Sequence, residues 1–122
     1  MTPTPAELRV LTDRERGLLK SVLALADFPG RSDLAQQVDH ARVSGGQPLI
    51  LDLVVVAEIR PADLPSGPIP TRAVVSDAAN QPLGEVIIWV QDGYLSGLEY
   101  AWLTDEPPSS MPEPEQLVLY SN

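Results

Sequence analysis

Asp92-Gly93 constrains the fold of this chain more than any other pair of residues, because it stands between two runs that read as strands. A two-residue Asp-Gly loop suits the primed turns whose twist matches a β-hairpin. Before it, Leu83 to Gln91 alternates, with Val86, Ile88 and Val90 on one face and Ile87 and Trp89 on the other. After it, Tyr94 to Leu103 returns antiparallel. A uniform register predicts Trp89 opposite Ser96, Ile87 opposite Leu98 and Glu85 opposite Tyr100. That register puts Glu85 and Glu99 on opposite faces. Gly97 is the irregular position, since a glycine in mid-strand marks a bulge or a close approach of backbone.

Helical signals lie upstream. Thr12-Asp13-Arg14-Glu15 fits a capping box, and Leu18, Leu19, Val22, Leu23 and Ala26 follow at helical spacing. The spacing predicts a helix from Asp13 to about Ala26, ended by Phe28-Pro29-Gly30. Ser32 is read as the cap of a second, short helix through Asp39. A short strand, Ala41 to Ser44, then meets Gly45-Gly46, read as a tight turn. Leu49 to Ile59 is the strongest strand pattern and suits a central strand covered by helix on one side. Arg60 to Pro70 carries four prolines and reads as a stiff loop. Arg72 to Asp77 reads as a strand, and Leu117 to Tyr120 as a final edge strand. The whole chain of 122 residues is expected to form a single α+β domain: an N-terminal helix pair on an antiparallel sheet of four to five strands. Residues 1–7 read as a frayed arm, and 104–116 as a proline-rich acidic tail segment.

Charge separates the two parts of the chain. Eight of its 17 acids lie after residue 72, where no base occurs, and the formal net charge is −9. Five of the six aromatics lie in the same part: Trp89, Tyr94, Tyr100, Trp102 and Tyr120. An acidic balance argues against nucleic acid, whose phosphates are held by Lys and Arg. It argues against an anionic membrane surface for the same reason. The longest apolar runs, Leu53 to Ala57 among them, have five residues, far short of the roughly 20 a bilayer needs. The N-terminus lacks the basic start and apolar stretch of a secretion signal, so the expected location is cytoplasmic.

Catalytic patterns are weak. With one histidine and no cysteine, a zinc site is not expected, and no calcium loop is present. The chain is therefore expected to take no metal and no cofactor. A nucleophilic triad needs His40 as base, with Ser44, Ser76 or Ser96 as nucleophile, and no Gly-x-Ser-x-Gly elbow is present. Gly45-Gly46 precedes a strand, and no Lys-Ser/Thr follows it to cradle a phosphate. These patterns point away from an enzyme.

Leu11-Thr12-x-x-Glu15, Asp27-Phe28-Pro29-Gly30, Asp92-Gly93-Tyr94-Leu95-Ser96-Gly97-Leu98-Glu99-Tyr100 and the later Glu106-Pro107-Pro108 and Pro112-x-Pro114 resemble a family of small uncharacterised actinobacterial proteins. The resemblance covers most of the chain and implies no activity. In composition and layout the chain is also similar to small immunity proteins of bacterial toxin systems. The resulting expectation is a non-enzymatic acidic module that binds a basic protein, as an immunity protein or antitoxin does, through Tyr94, Glu99, Asp105 and Glu106. A small-molecule binder or enzyme with a helix–sheet pocket near Trp89 and Tyr100 is the rival, and a homodimer joined at a sheet edge is the third reading.

Overall fold

A computed structural model describes residues 8–121. In chain order the elements are strand β1 (Arg9–Val10), helix α1 (Asp13–Leu25), helix α2 (Arg31–Gln37), β2 (Ala41–Gln47), β3 (Ile50–Val55), β4 (Gly67–Pro68), β5 (Thr71–Ser76), β6 (Pro82–Gln91), β7 (Tyr94–Trp102) and β8 (Leu117–Ser121). Turns of 3₁₀ helix at Val38–His40 and Pro114–Gln116 lead into β2 and β8. The fold is α+β, with two helices and one antiparallel sheet. The sheet order is β1-β2-β3-β7-β6-β5-β8, with β4 also pairing β6. Eight strands replace the expected four to five, and the helices come after a first strand. The short strands β1 and β4 hold two residues each, which is too short for alternation to announce them. The arm of residues 1–7 lies outside the described residues.

Helix α1 begins where its cap predicts. Thr12 Oγ1 accepts from the Glu15 amide at 3.1 Å, and Glu15 Oε1 accepts from the Thr12 amide at 2.9 Å. Leu18, Leu19, Val22 and Leu23 face inward. Helix α2 starts from Gly30, not Ser32, because Gly30 takes a left-handed φ of 91° at the turn. The buried side chains of both helices join those of one sheet face in one core, which includes Val43, Leu51, Val75, Ile88, Leu98 and Tyr100.

Two registers differ from the sequence reading, and both differences are bulges. Gly45-Gly46 does not turn the chain: it lies within β2 at a shift after Val43, and Pro48-Leu49 makes the turn to β3. Gly46 has a φ of 98°, and a Cβ there would sit 2.1 Å from the Ile50 carbonyl oxygen, so this position beside the bulge calls for glycine. The Asp92-Gly93 turn forms as expected, with φ of 52° and 86°. The pairs nearest the turn, Gln91–Tyr94 and Val90–Leu95, keep the expected register. Beyond them Ser96 is extra, and Trp89 faces Gly97, Ile87 faces Glu99 and Glu85 faces Ala101. Leu95 and Leu98 stand three residues apart, and only an extra residue lets both reach the core.

The hairpin tip is fastened from the helix side by Gln37, which is wholly buried. Its Oε1 accepts from the Leu95 amide at 2.9 Å, and its Nε2 donates to Gly93 O at 2.9 Å and Arg60 O at 3.2 Å. One side chain thus stands in for a neighbouring strand where β3 no longer pairs with β7. The 104–116 segment is also anchored. Met111 and Pro112 are buried, and Arg14 donates to Ser110 Oγ, Met111 O and Glu113.

Candidate interaction surface

The bulge at Ser96 decides what the outer face of the hairpin presents. It turns Leu98 to the core and Glu99 outward, so Glu85 and Glu99 share the outer face instead of lying on opposite ones. The register aligns Ile50, Glu99 and Ile87 across β3, β7 and β6, with Asp52, Gly97 and Trp89 in the next row. Tyr120 faces Arg72, and Val118 faces Val74, at the β8 side. These outward side chains are half-buried or exposed, while the alternate residues of the same strands lie in the core.

Trp89 is the centre of this face. It remains 36% exposed although it stands on an inner strand. Gly97 makes room for it: a Cβ there would lie 3.2 Å from Trp89 Cδ1 and 3.3 Å from Trp89 Cβ. The indole therefore rests across the β7 backbone, and its Nε1 donates to Glu99 Oε1 at 3.2 Å. Nearby, Arg72 Nε donates to Glu85 Oε1 at 2.8 Å. That bond and the carboxylate charge raise the Arg72 guanidinium above its ordinary value, against a small opposing effect of burial. A hollow of about 210 Å³ opens beside Trp89, bordered by Pro68, Arg72, Glu85 and Ile87.

The four residues expected to bind a partner do not form one patch. Glu99 lies on the outer face. Tyr94 sits at the hairpin tip, half-buried, with its hydroxyl donating to Ile59 O at 3.0 Å. Asp105 and Glu106 are exposed beyond the other end of β7, where Thr104 Oγ1 donates to Glu106 O. The intervening strand of nine residues spans roughly 30 Å. Trp89, the residue absent from that set, was signalled by Gly97: a glycine mid-strand leaves space for a large cross-strand neighbour. Trp89 and Tyr100 face opposite sides of the sheet, so no pocket is shared between them.

A cleft of about 730 Å³ lies between the start of α1, the β2–β3 hairpin and Ser109–Met111. Its two guanidinium groups are already engaged. Arg9 is bidentate to Glu15 at 2.9 and 3.0 Å, and Arg14 holds Glu113. Elsewhere His40 closes a 3₁₀ turn, while Ser44, Ser76 and Ser96 lie on β2, β5 and β7. Among the described residues no three metal-ligating side chains come together, and no buried side-chain polar atom lacks a partner.

Each of the eight Lys and Arg side chains has a partner within the described residues. Arg9, Arg14, Arg16, Lys20, Arg60 and Arg72 pair with carboxylates, and Arg31 and Arg42 donate to backbone carbonyls. Asp52 and Glu99 on the outer face belong to the acids that no base within the described residues offsets. No protein-family model, curated protein or solved structure matches the chain.

Proposed function

We propose that the protein is a non-enzymatic binding module whose outer sheet face receives a basic protein, in the manner of an immunity protein or antitoxin. The observation that carries this reading is Trp89, held outward over Gly97 and joined to Glu99. A Lys or Arg side chain of the partner stacks on the indole and meets the Glu99 carboxylate. Stacking of this kind contributes about 0.5–2 kcal/mol, increasing as water is excluded. Ile50 and Ile87 supply apolar contact beside it. With the bases engaged internally, the unpaired acids give the field one sign, which speeds encounter with a cationic partner. Asp105 and Glu106 contribute to that field from beyond the strand end.

The test is the indole N–H signal of Trp89 in a ¹H–¹⁵N spectrum, assigned with Trp102→Phe, during titration with triarginine and trilysine peptides. A saturable shift is expected, strong at low salt, reduced by Glu99→Gln and reduced less by Asp105→Asn with Glu106→Gln. No shift, or a shift that survives Glu99→Gln and disappears with the tail substitutions, rules the outer face out.

A further inference from the structure

We infer that strand β8 is a pairing edge for a second copy of this chain, through an antiparallel β8–β8 contact that joins two sheets into one. This inference stands apart from the outer-face reading.

The two ends of the sheet are built differently. At one end β1 is two residues long and includes Arg9, and its neighbour β2 carries the glycine bulge. Shortness, charge and bulges all discourage a further strand. At the other end β8 is five residues of Leu-Val-Leu-Tyr-Ser, without charge, proline or glycine. Its register against β5 is unbroken from Leu117–Val75 to Ser121–Thr71. As the last strand in the order, it leaves one side of its backbone without a strand partner among the described residues. An edge of this kind is a template for strand addition.

The identity of the second strand follows from β8 itself. Pairing about a two-fold axis at Leu119 brings all five positions of each strand into register, whereas sliding by two residues loses part of the overlap. On the outer face Val118 then lies opposite the second copy's Tyr120, twice over, a β-branched and aromatic pairing that favours antiparallel strands. These two side chains are 39% and 52% exposed. On the core face Leu117 and Leu119 are still half-buried, although their β5 partners Val75 and Ala73 are buried. A second copy covers those leucines with its own. The strip offers a basic partner no charge to recognise, so self-pairing suits it better.

Sedimentation of the full chain over rising concentration tests the inference, with circular dichroism confirming that each variant is folded. Wild type is expected to dimerise reversibly. Val118→Glu with Tyr120→Glu places like charges opposite each other at both symmetric contacts and is expected to weaken dimerisation about 30-fold. Val118→Lys with Tyr120→Glu places opposite charges there and is expected to restore it to within about tenfold of wild type. A wild-type chain that stays monomeric throughout overturns the inference. So does a dimer indifferent to the first pair of substitutions, or one that the charge-swapped pair fails to restore.

Discussion

Ile87 and Ile88 are identical neighbours on β6 that meet opposite environments. Ile88 faces Leu98 in the core, whereas Ile87 faces Glu99 on the outer face. The covered side of the sheet is devoted to exclusion of water, and among the described residues no fully buried side-chain polar atom lacks a partner. Glu15 and Gln37 are its two buried polar residues, and both are saturated by named partners. The outer side retains apolar surface, an indole and carboxylates in contact with water. Stability is concentrated on one side of the sheet, which leaves the other available for recognition.

Substitutions can break that contrast. The largest effect is expected from Ile88→Ala, which removes apolar volume from a site 1% exposed and costs about 3 kcal/mol in urea unfolding. A cost below about 1 kcal/mol would mean that the covered side is loosely packed. Gln37→Leu is expected to cost about 2 kcal/mol, because the Leu95 amide loses its acceptor in a buried setting. Hydrogen exchange at Leu95 should accelerate with it, and unchanged exchange would refute the surrogate-strand role.

Acid acts on the same side through Glu15. Burial raises its pKa, but the Arg9 hydrogen bond and the Thr12 amide lower it further, for a net value below the ordinary carboxylate range. A depressed folded pKa adds stability that is present above the unfolded pKa and lost as pH falls through the folded one. Unfolding curves from about pH 7 to about pH 3 should therefore be less pH-dependent in Glu15→Gln than in wild type; equal slopes would contradict the assignment. Ile87→Ala should have the smallest effect, below about 1 kcal/mol, since the outer face is open to water. A cost close to that of Ile88→Ala would erase the distinction between the faces.

Much of the local structure was legible in the residues. Thr12 and Glu15 cap α1, Asp92-Gly93 turns the hairpin, and Leu117 onward forms the edge strand. The cap and the turn rest on contacts across three or four neighbours, which a sequence displays directly, and the edge strand is a short apolar run near the end of the chain. Gly45-Gly46 was ambiguous because bulges and turns both use left-handed glycine, and the choice fell to Pro48-Leu49 only once β3 was paired. The outer site was half legible: Glu99 was visible as an acid, but its direction was not.

By itself the sequence determined where helix α1 starts, where the hairpin turns, and that the later part of the chain is acidic throughout. Tertiary structure decided which hairpin residues meet water. That choice rests on the Ser96 bulge, which brings both Leu95 and Leu98 into a core built largely from residues far away in the chain. Burial is a property of the assembled layers, and a one-residue shift in pairing exchanges the two faces of a strand. Trp89 and Glu99 thus became neighbours through packing on the opposite side of the sheet.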